Sequence, residues 1–177
     1  MAREYIEGNR KKYFNPFTFL ILVVGIAWLV MYNIRFVDFN ATGTSNPVSD
    51  FLNKHANIII FLNVPILAFF NRILFYKRDI NFSEHLVFVC FVSGQRSIFF
   101  TLLVAPLRLM LPAQYTVLLS GYLILWTLYF AFANMQFIRR YNFPAFLKSV
   151  LVPVLTQILV ILLISIVYFV YFRFIRH

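Results

Sequence analysis

The chain has little charge, and least of all negative charge. Of its 177 residues only 12% are Asp, Glu, Lys or Arg, and six acids face 16 bases. A soluble domain carries roughly a quarter charged residues to keep its surface solvated, so a wholly water-facing fold is excluded. Cysteine is almost missing: Cys90 is the only one. A single thiol builds neither an intrachain disulfide nor a thiolate metal centre, and inside an apolar run Cys90 reads as a small packing residue. The three histidines, His55, His85 and His177, are scattered, and paired acids or an HExxH signature are lacking. Catalytic residues, a bound metal and a cofactor are therefore not expected.

Apolar residues fill the space that charge leaves, at 62% of the chain. A chain of this length cannot hide so much apolar surface in one core, because small folds leave a large share of their surface outside. The surplus must face lipid. The net charge of +10 does not point to nucleic acid: the cations sit in short clusters at the ends of apolar runs, as in Arg10-Lys11-Lys12 and Arg139-Arg140, rather than along one face or arm. Such flanking clusters mark membrane topology and attract anionic headgroups.

A spanning helix needs roughly 20 mostly apolar residues to cross ~30 Å of hydrocarbon. Five stretches meet this, at about 16–32, 56–76, 83–111, 115–137 and 144–172. The fold predicted is an all-α, polytopic transmembrane bundle of about five helices, one membrane domain over 1–177. Asn15 before Pro16, and Asn142 before Pro144, supply a capping side chain ahead of a proline near the first helical position. Asn81 three residues before Glu84 has the spacing of a capping box. The N-terminal apolar run is too long for a removable signal peptide, and an uncleaved anchor is expected. With the N-terminus inside, ten Lys and Arg lie inside and five outside, leaving Arg96 in a span; this favours a cytoplasmic N-terminus, though the basic tail Arg173 to His177 then falls on the outer side.

Residues 2–14 read as an interfacial helix ahead of the first span. Tyr5, Tyr13, Phe14 and Phe17 lie where headgroups would meet them, and Arg10, Lys11, Lys12 and Tyr13 form a membrane-surface anchor that suits an anionic lipid. Asn81, Glu84 and His85 open the third span. Glu84 complements the helix N-terminus, and a proton-handling role is the alternative. Glu84 and His85 make a weak metal pair, since adjacent helical residues point to different faces.

Two segments carry a resemblance. Glu4-Tyr5-Ile6-Glu7-Gly8-Asn9-Arg10-Lys11-Lys12-Tyr13-Phe14-Asn15-Pro16-Phe17-Thr18-Phe19-Leu20, followed later by Ile80-Asn81-Phe82-Ser83-Glu84-His85-Leu86-Val87-Phe88, resembles the membrane domain of an uncharacterised bacterial family common in Bacteroidota. Members typically carry a short zinc ribbon before this part. The sequence opens just before the first motif and has no cysteine pair, so no ribbon is expected in it. The resemblance implies a bacterial cytoplasmic (inner) membrane and no particular reaction.

Arg96 is the costly residue. It lies near the middle of the third span, where an arginine costs ~2.5–3.5 kcal/mol on insertion scales, and no acid is expected at its depth. Counting along the helices brings Asn63, Thr156 and Gln157 to its level, with Gln95 beside it. Three explanations compete. The helix is broken or tilted at Gly94 and polar groups neutralise the cation; or a partner subunit supplies the counter-charge; or an anionic substrate or lipid headgroup enters a cavity. For function, small size and the missing catalytic constellation lead us first to an accessory or scaffold subunit of a larger membrane complex, partnered by other membrane subunits and the bilayer. A transporter or channel component handling an anion or lipid near Arg96 is the alternative, and a lipid-modifying enzyme ranks last.

Overall fold

Lipid offers no partners to backbone N–H and C=O groups, so each long apolar run satisfies its own as a helix. The computed structural model of the chain describes residues 2–8, 14–33, 51–52, 54–76, 80–111 and 114–174, and among them the fold is all-α. In order these are α1 (Ala2–Ile6), α2 (Pro16–Asn33), α3 (Ala56–Leu74), α4 (Phe82–Phe99), a π-helical turn (Phe100–Val104), α5 (Ala105–Met110), α6 (Tyr115–Ile138) and α7 (Phe143–Phe174). Five stretches among the described residues are long and apolar enough to cross a membrane: Pro16–Asn33, Ala56–Leu74, Phe82–Leu107, Val117–Ile138 and Phe143–Val170.

The helix starts use short-range chemistry. Asn15 Oδ1 accepts the Phe17 N–H at 3.0 Å, directly before Pro16. Glu84 reaches back to the Asn81 N–H at 2.7 Å, closing a capping box. Asn142 Oδ1 accepts the Ala145 N–H at 3.1 Å. Just before it, Arg139 adopts a left-handed conformation (φ 55°, ψ 44°) that ends α6 and turns the chain into α7. Each cap satisfies a donor or carbonyl that the helix itself leaves open.

The third span is one continuous rod with a widened turn, and Gly94 is not its weak point. A Cβ at Gly94 would collide with the Phe19 ring, so the glycine lets α2 lie close against α4. The irregularity comes six residues later. Pro106 has no N–H to give the carbonyl one turn back, and the helix passes through the π turn, where the Ala105 N–H bonds to Phe100 O, before resuming as α5.

Helix α4 lies at the centre. It packs on α2 and α3, while α7 packs on α3 and α6; α6 meets α4 only sparsely. Accordingly 56% of the third span is buried, against 22% of each of the other four. Val24, Leu67, Val89, Phe130 and Val152, one from each span, meet in the common core.

Of the stretch 2–14 expected as an interfacial helix, the structure describes residues 2–8 and 14. Helix α1 ends at Ile6, and Gly8 follows with a φ of 110° that favours glycine. Helix α1 docks on the bundle: Tyr5 meets the Phe91 ring edge-on at 6.0 Å, and Arg3 donates to Phe137 O at 3.0 Å. Arg10, Lys11, Lys12 and Tyr13, the expected surface anchor, lie outside the described residues.

Candidate functional site

Two buried polar sites lie between the helices. The first joins α3, α6 and α7 near the end of the bundle where α1 sits. Asn71 and Asn134 exchange amide hydrogen bonds at 2.9 and 3.0 Å, and Asn134 also donates to Ser149 Oγ at 3.0 Å. All three residues are fully buried. Each amide is oriented so that one group donates where the other accepts, and the cluster closes on itself.

The second site surrounds Arg96. Its side chain is half-buried and lines a cavity of about 240 Å³ to which all five spans contribute. Asn63 from α3, Ser93 and Ser97 from α4, Tyr122 from α6 and Gln157 from α7 supply the polar lining. Ile60, Phe100, Val160 and Ile164 are among the apolar walls. The guanidinium lies over the ring of Trp126, 4.3 Å from its centroid. The Tyr122 hydroxyl donates to the Arg96 carbonyl at 2.8 Å, which ties α6 to α4 beside the cation.

Magnitudes show what this arrangement leaves undone. A desolvated cation–π contact is worth up to ~2 kcal/mol, less than the ~2.5–3.5 kcal/mol that a central arginine costs. Among the described residues the ion pairs are Arg3–Glu7 at 3.0 Å and Arg139–Glu7 at 3.7 Å, and no carboxylate reaches Arg96. Glu84 begins the same helix twelve residues earlier, ~18 Å away at the helical rise. A guanidinium has five N–H donors, so the cavity faces a cation with capacity to spare. Wide enough for a small ligand, with apolar walls and a few converging polar groups, it has the build of a binding site.

Of the sequence-derived set, Arg96, Asn63 and Gln157 share this chamber. Gln95 does not. It lies on the adjacent face of α4, lines a separate crevice and accepts a 2.5 Å hydrogen bond from Tyr129. Thr156 also turns away, donating to Val152 O within its own helix. Trp126, Tyr122 and Tyr129 were missed by sequence reasoning, although their spacing of four and three puts all three on one stripe of α6. Asn71 and Asn134 were legible only as isolated amides within apolar runs.

A family model matches the start of the chain. It is described as Protein of unknown function (DUF3667) and covers residues 1–27, which include α1 and the first two thirds of α2. The match supports a relationship to an uncharacterised family and takes in the first of the two sequence motifs. No curated protein and no solved structure matches the chain.

The third expected group, Asn81, Glu84 and His85, divides. Asn81 and Glu84 are joined in the cap. His85 is fully buried on the other side of α4, edge-on to Phe137 with ring centroids 5.7 Å apart. Among the described residues neither of its ring nitrogens has a hydrogen-bond partner, and no group of three His, Cys, Asp or Glu is positioned to hold a metal. An aromatic column continues from that point along the α4–α6 seam. Phe137 stacks on Phe88 at 4.5 Å, Phe88 meets Phe130 at 5.8 Å, and Phe130 meets Trp126 at 5.7 Å, ending beneath Arg96.

Proposed function

We propose that this chain is a non-catalytic binding component of a membrane, holding a small organic anion with its charge at Arg96 and its apolar part against Ile60, Phe100, Val160 and Ile164. One observation carries the reading: Arg96 faces a cavity lined by all five spans, with no carboxylate beside it among the described residues. A ligand of the right charge fits the space already present beside the guanidinium. The shared chemistry is an anionic head on an apolar body, supplied either by a soluble acid or by a lipid headgroup.

Trp126 is a built-in reporter, since the only other tryptophan is Trp28. In a Trp28→Phe background, in nanodiscs of zwitterionic lipid, hexanesulfonate should change the emission of Trp126 saturably. Replacing part of the lipid with phosphatidylglycerol should suppress that change if a headgroup is the resident. Arg96→Gln should abolish both effects. A wild-type protein blind to both anions, or an unchanged response in Arg96→Gln, would overturn the reading.

A second reading, an accessory subunit of a larger membrane complex, draws support from α7. Its 32 residues measure ~48 Å at the helical rise, well beyond ~30 Å of hydrocarbon. Near its end Ile166, Val167, Phe169 and Val170 are exposed in almost every direction. A stoichiometric membrane partner lost on Ile166→Ser with Val170→Ser would support it, and a lone monodisperse monomer in mild detergent would count against it. The surplus of Lys and Arg at the α1 end supports a cytoplasmic N-terminus, and the motif resemblance supports a bacterial inner membrane as its setting.

A further inference from the structure

The Arg96 chamber has a polar floor, and the closed amide cluster fixes its level. Asn71, Asn134 and Ser149 are joined by hydrogen bonds and so share one depth near the α1 end. Helices α3 and α6 run toward that end, and α7 runs away from it. Asn63 stands eight residues before Asn71, Trp126 eight before Asn134, and Gln157 eight after Ser149. Eight residues rise ~12 Å, so these three come to one level, about two turns farther from α1. Arg96 joins them there, its guanidinium 4.3 Å from the centroid of the Trp126 ring.

Beyond this floor the chamber walls turn apolar. Ile60 on α3 and Val160 on α7 lie one turn farther from α1, and Leu119 on α6 and Ile164 on α7 lie two turns farther. Phe100, one turn past Arg96, meets the Tyr122 ring at 5.7 Å and packs with Met31 and Leu119. From Gln157 to Ile164 the wall rises ~10 Å. A ligand with its charge on Arg96 therefore points its apolar body away from the α1 end.

Asn63 and Gln157 decide what else the head must carry. Among the described residues neither side-chain amide is engaged in a hydrogen bond. An amide offers a carbonyl acceptor as well as its N–H donors. A carboxylate satisfies the guanidinium and the N–H groups, and it leaves the amide oxygens wanting a donor. Because the amides lie at the level of the guanidinium, that donor belongs on the carbon next to the acid. An ammonium group there would stand beside Arg96 with no carboxylate among the described residues to offset the repulsion. A hydroxyl supplies the donor without the charge.

We propose that the chamber selects 2-hydroxy acids with a short alkyl chain: the carboxylate on Arg96, the hydroxyl donating to the amide of Asn63 or Gln157, and the chain along Val160 and Ile164. The proposal rests on Arg96 being an anion site. The hydroxyl adds about three- to tenfold in affinity, the net worth of one hydrogen bond, and each buried methylene adds about fourfold.

The test follows Trp126 emission of the full chain carrying Trp28→Phe, in nanodiscs of zwitterionic lipid at pH 7. It is titrated with hexanoate, 2-hydroxyhexanoate and 2-aminohexanoate. The hydroxy acid should bind about three- to tenfold more tightly than hexanoate, and the amino acid more weakly than either. Asn63→Leu with Gln157→Leu should bring hexanoate and the hydroxy acid within twofold of each other while hexanoate still binds. Gln157→Leu alone is the milder variant and should lower the preference in the same direction. Ile164→Ala should weaken 2-hydroxyoctanoate several-fold and leave 2-hydroxybutanoate within twofold of its affinity for the unsubstituted chamber. Equal binding of hexanoate and 2-hydroxyhexanoate, or a preference that survives both amide substitutions, would overturn the selectivity and leave the anion site standing. Equal effects of Ile164→Ala on the two chain lengths would overturn the placement of the chain. No response to any of the acids would overturn the anion site and the selectivity together.

Discussion

The two polar sites inside this bundle solve the same problem in opposite ways. Asn71, Asn134 and Ser149 are fully buried and exchange hydrogen bonds among themselves. Arg96 costs more to bury than any amide, yet it is given a ring, a cavity and no carboxylate among the described residues. A closed network has nothing left to offer a ligand and acts on the fold, by fixing how α3, α6 and α7 meet. An open one keeps unspent hydrogen-bonding capacity. Inside a membrane, that spare capacity is what distinguishes a binding site from structural glue.

The comparison can be broken most directly at Asn134. Asn134→Leu strands both the Asn71 amide and the Ser149 hydroxyl, and a stranded buried polar group costs about 1–3 kcal/mol. A loss of about 2–4 kcal/mol in unfolding stability is expected in detergent, read by steric trapping or thermal melting. Stability within 1 kcal/mol of wild type would mean that the cluster is not structural. Arg96→Leu should behave in the reverse sense. It removes an insertion cost of ~2.5–3.5 kcal/mol and a cation–π contact of up to ~2 kcal/mol, so the same assay should show a gain of about 1 kcal/mol while the Trp126 anion response vanishes. A clear loss of stability would instead place Arg96 with the structural cluster. The smallest effect is expected for Ser149→Ala, which gives up one interhelical hydrogen bond worth about 0.6 kcal/mol in a membrane and leaves anion binding untouched.

Much of the fold was legible in the residues. Five apolar runs of spanning length appear as such, and Asn15, Asn81 with Glu84, and Asn142 mark helix starts by local chemistry that needs no neighbours. The π turn was not legible. It adds a wider loop of backbone without changing hydropathy, and Pro106 alone does not say whether a helix will kink, end or widen. Nor was the role of Gly94, which reads as a break until the Phe19 ring is seen against it.

The candidate site was half legible. Arg96 stood out because a charge in a long apolar run has a large and position-dependent cost, and helix-depth counting brought Asn63 and Gln157 to its level. Depth says nothing of direction. Gln95 and Thr156 lie at much the same level and point elsewhere, and Trp126 was hidden among many other aromatic residues until the packing of α6 put its ring beneath the cation.

By itself, then, the sequence determined that this protein lives in a bilayer, where its helices begin, and that an arginine in the third span needs an answer. These follow from solvation and from hydrogen bonds within a few residues along the chain. Only the tertiary structure decided that α4 is the central helix, that α1 docks on the bundle, and that the two sides of the Gln95–Arg96 pair face two different openings. The helices are apolar on nearly every side and carry little periodicity to say which face turns inward. That choice is made by shape, by the ring that fits against a glycine and the amides that find each other, and it exists only once the helices are packed.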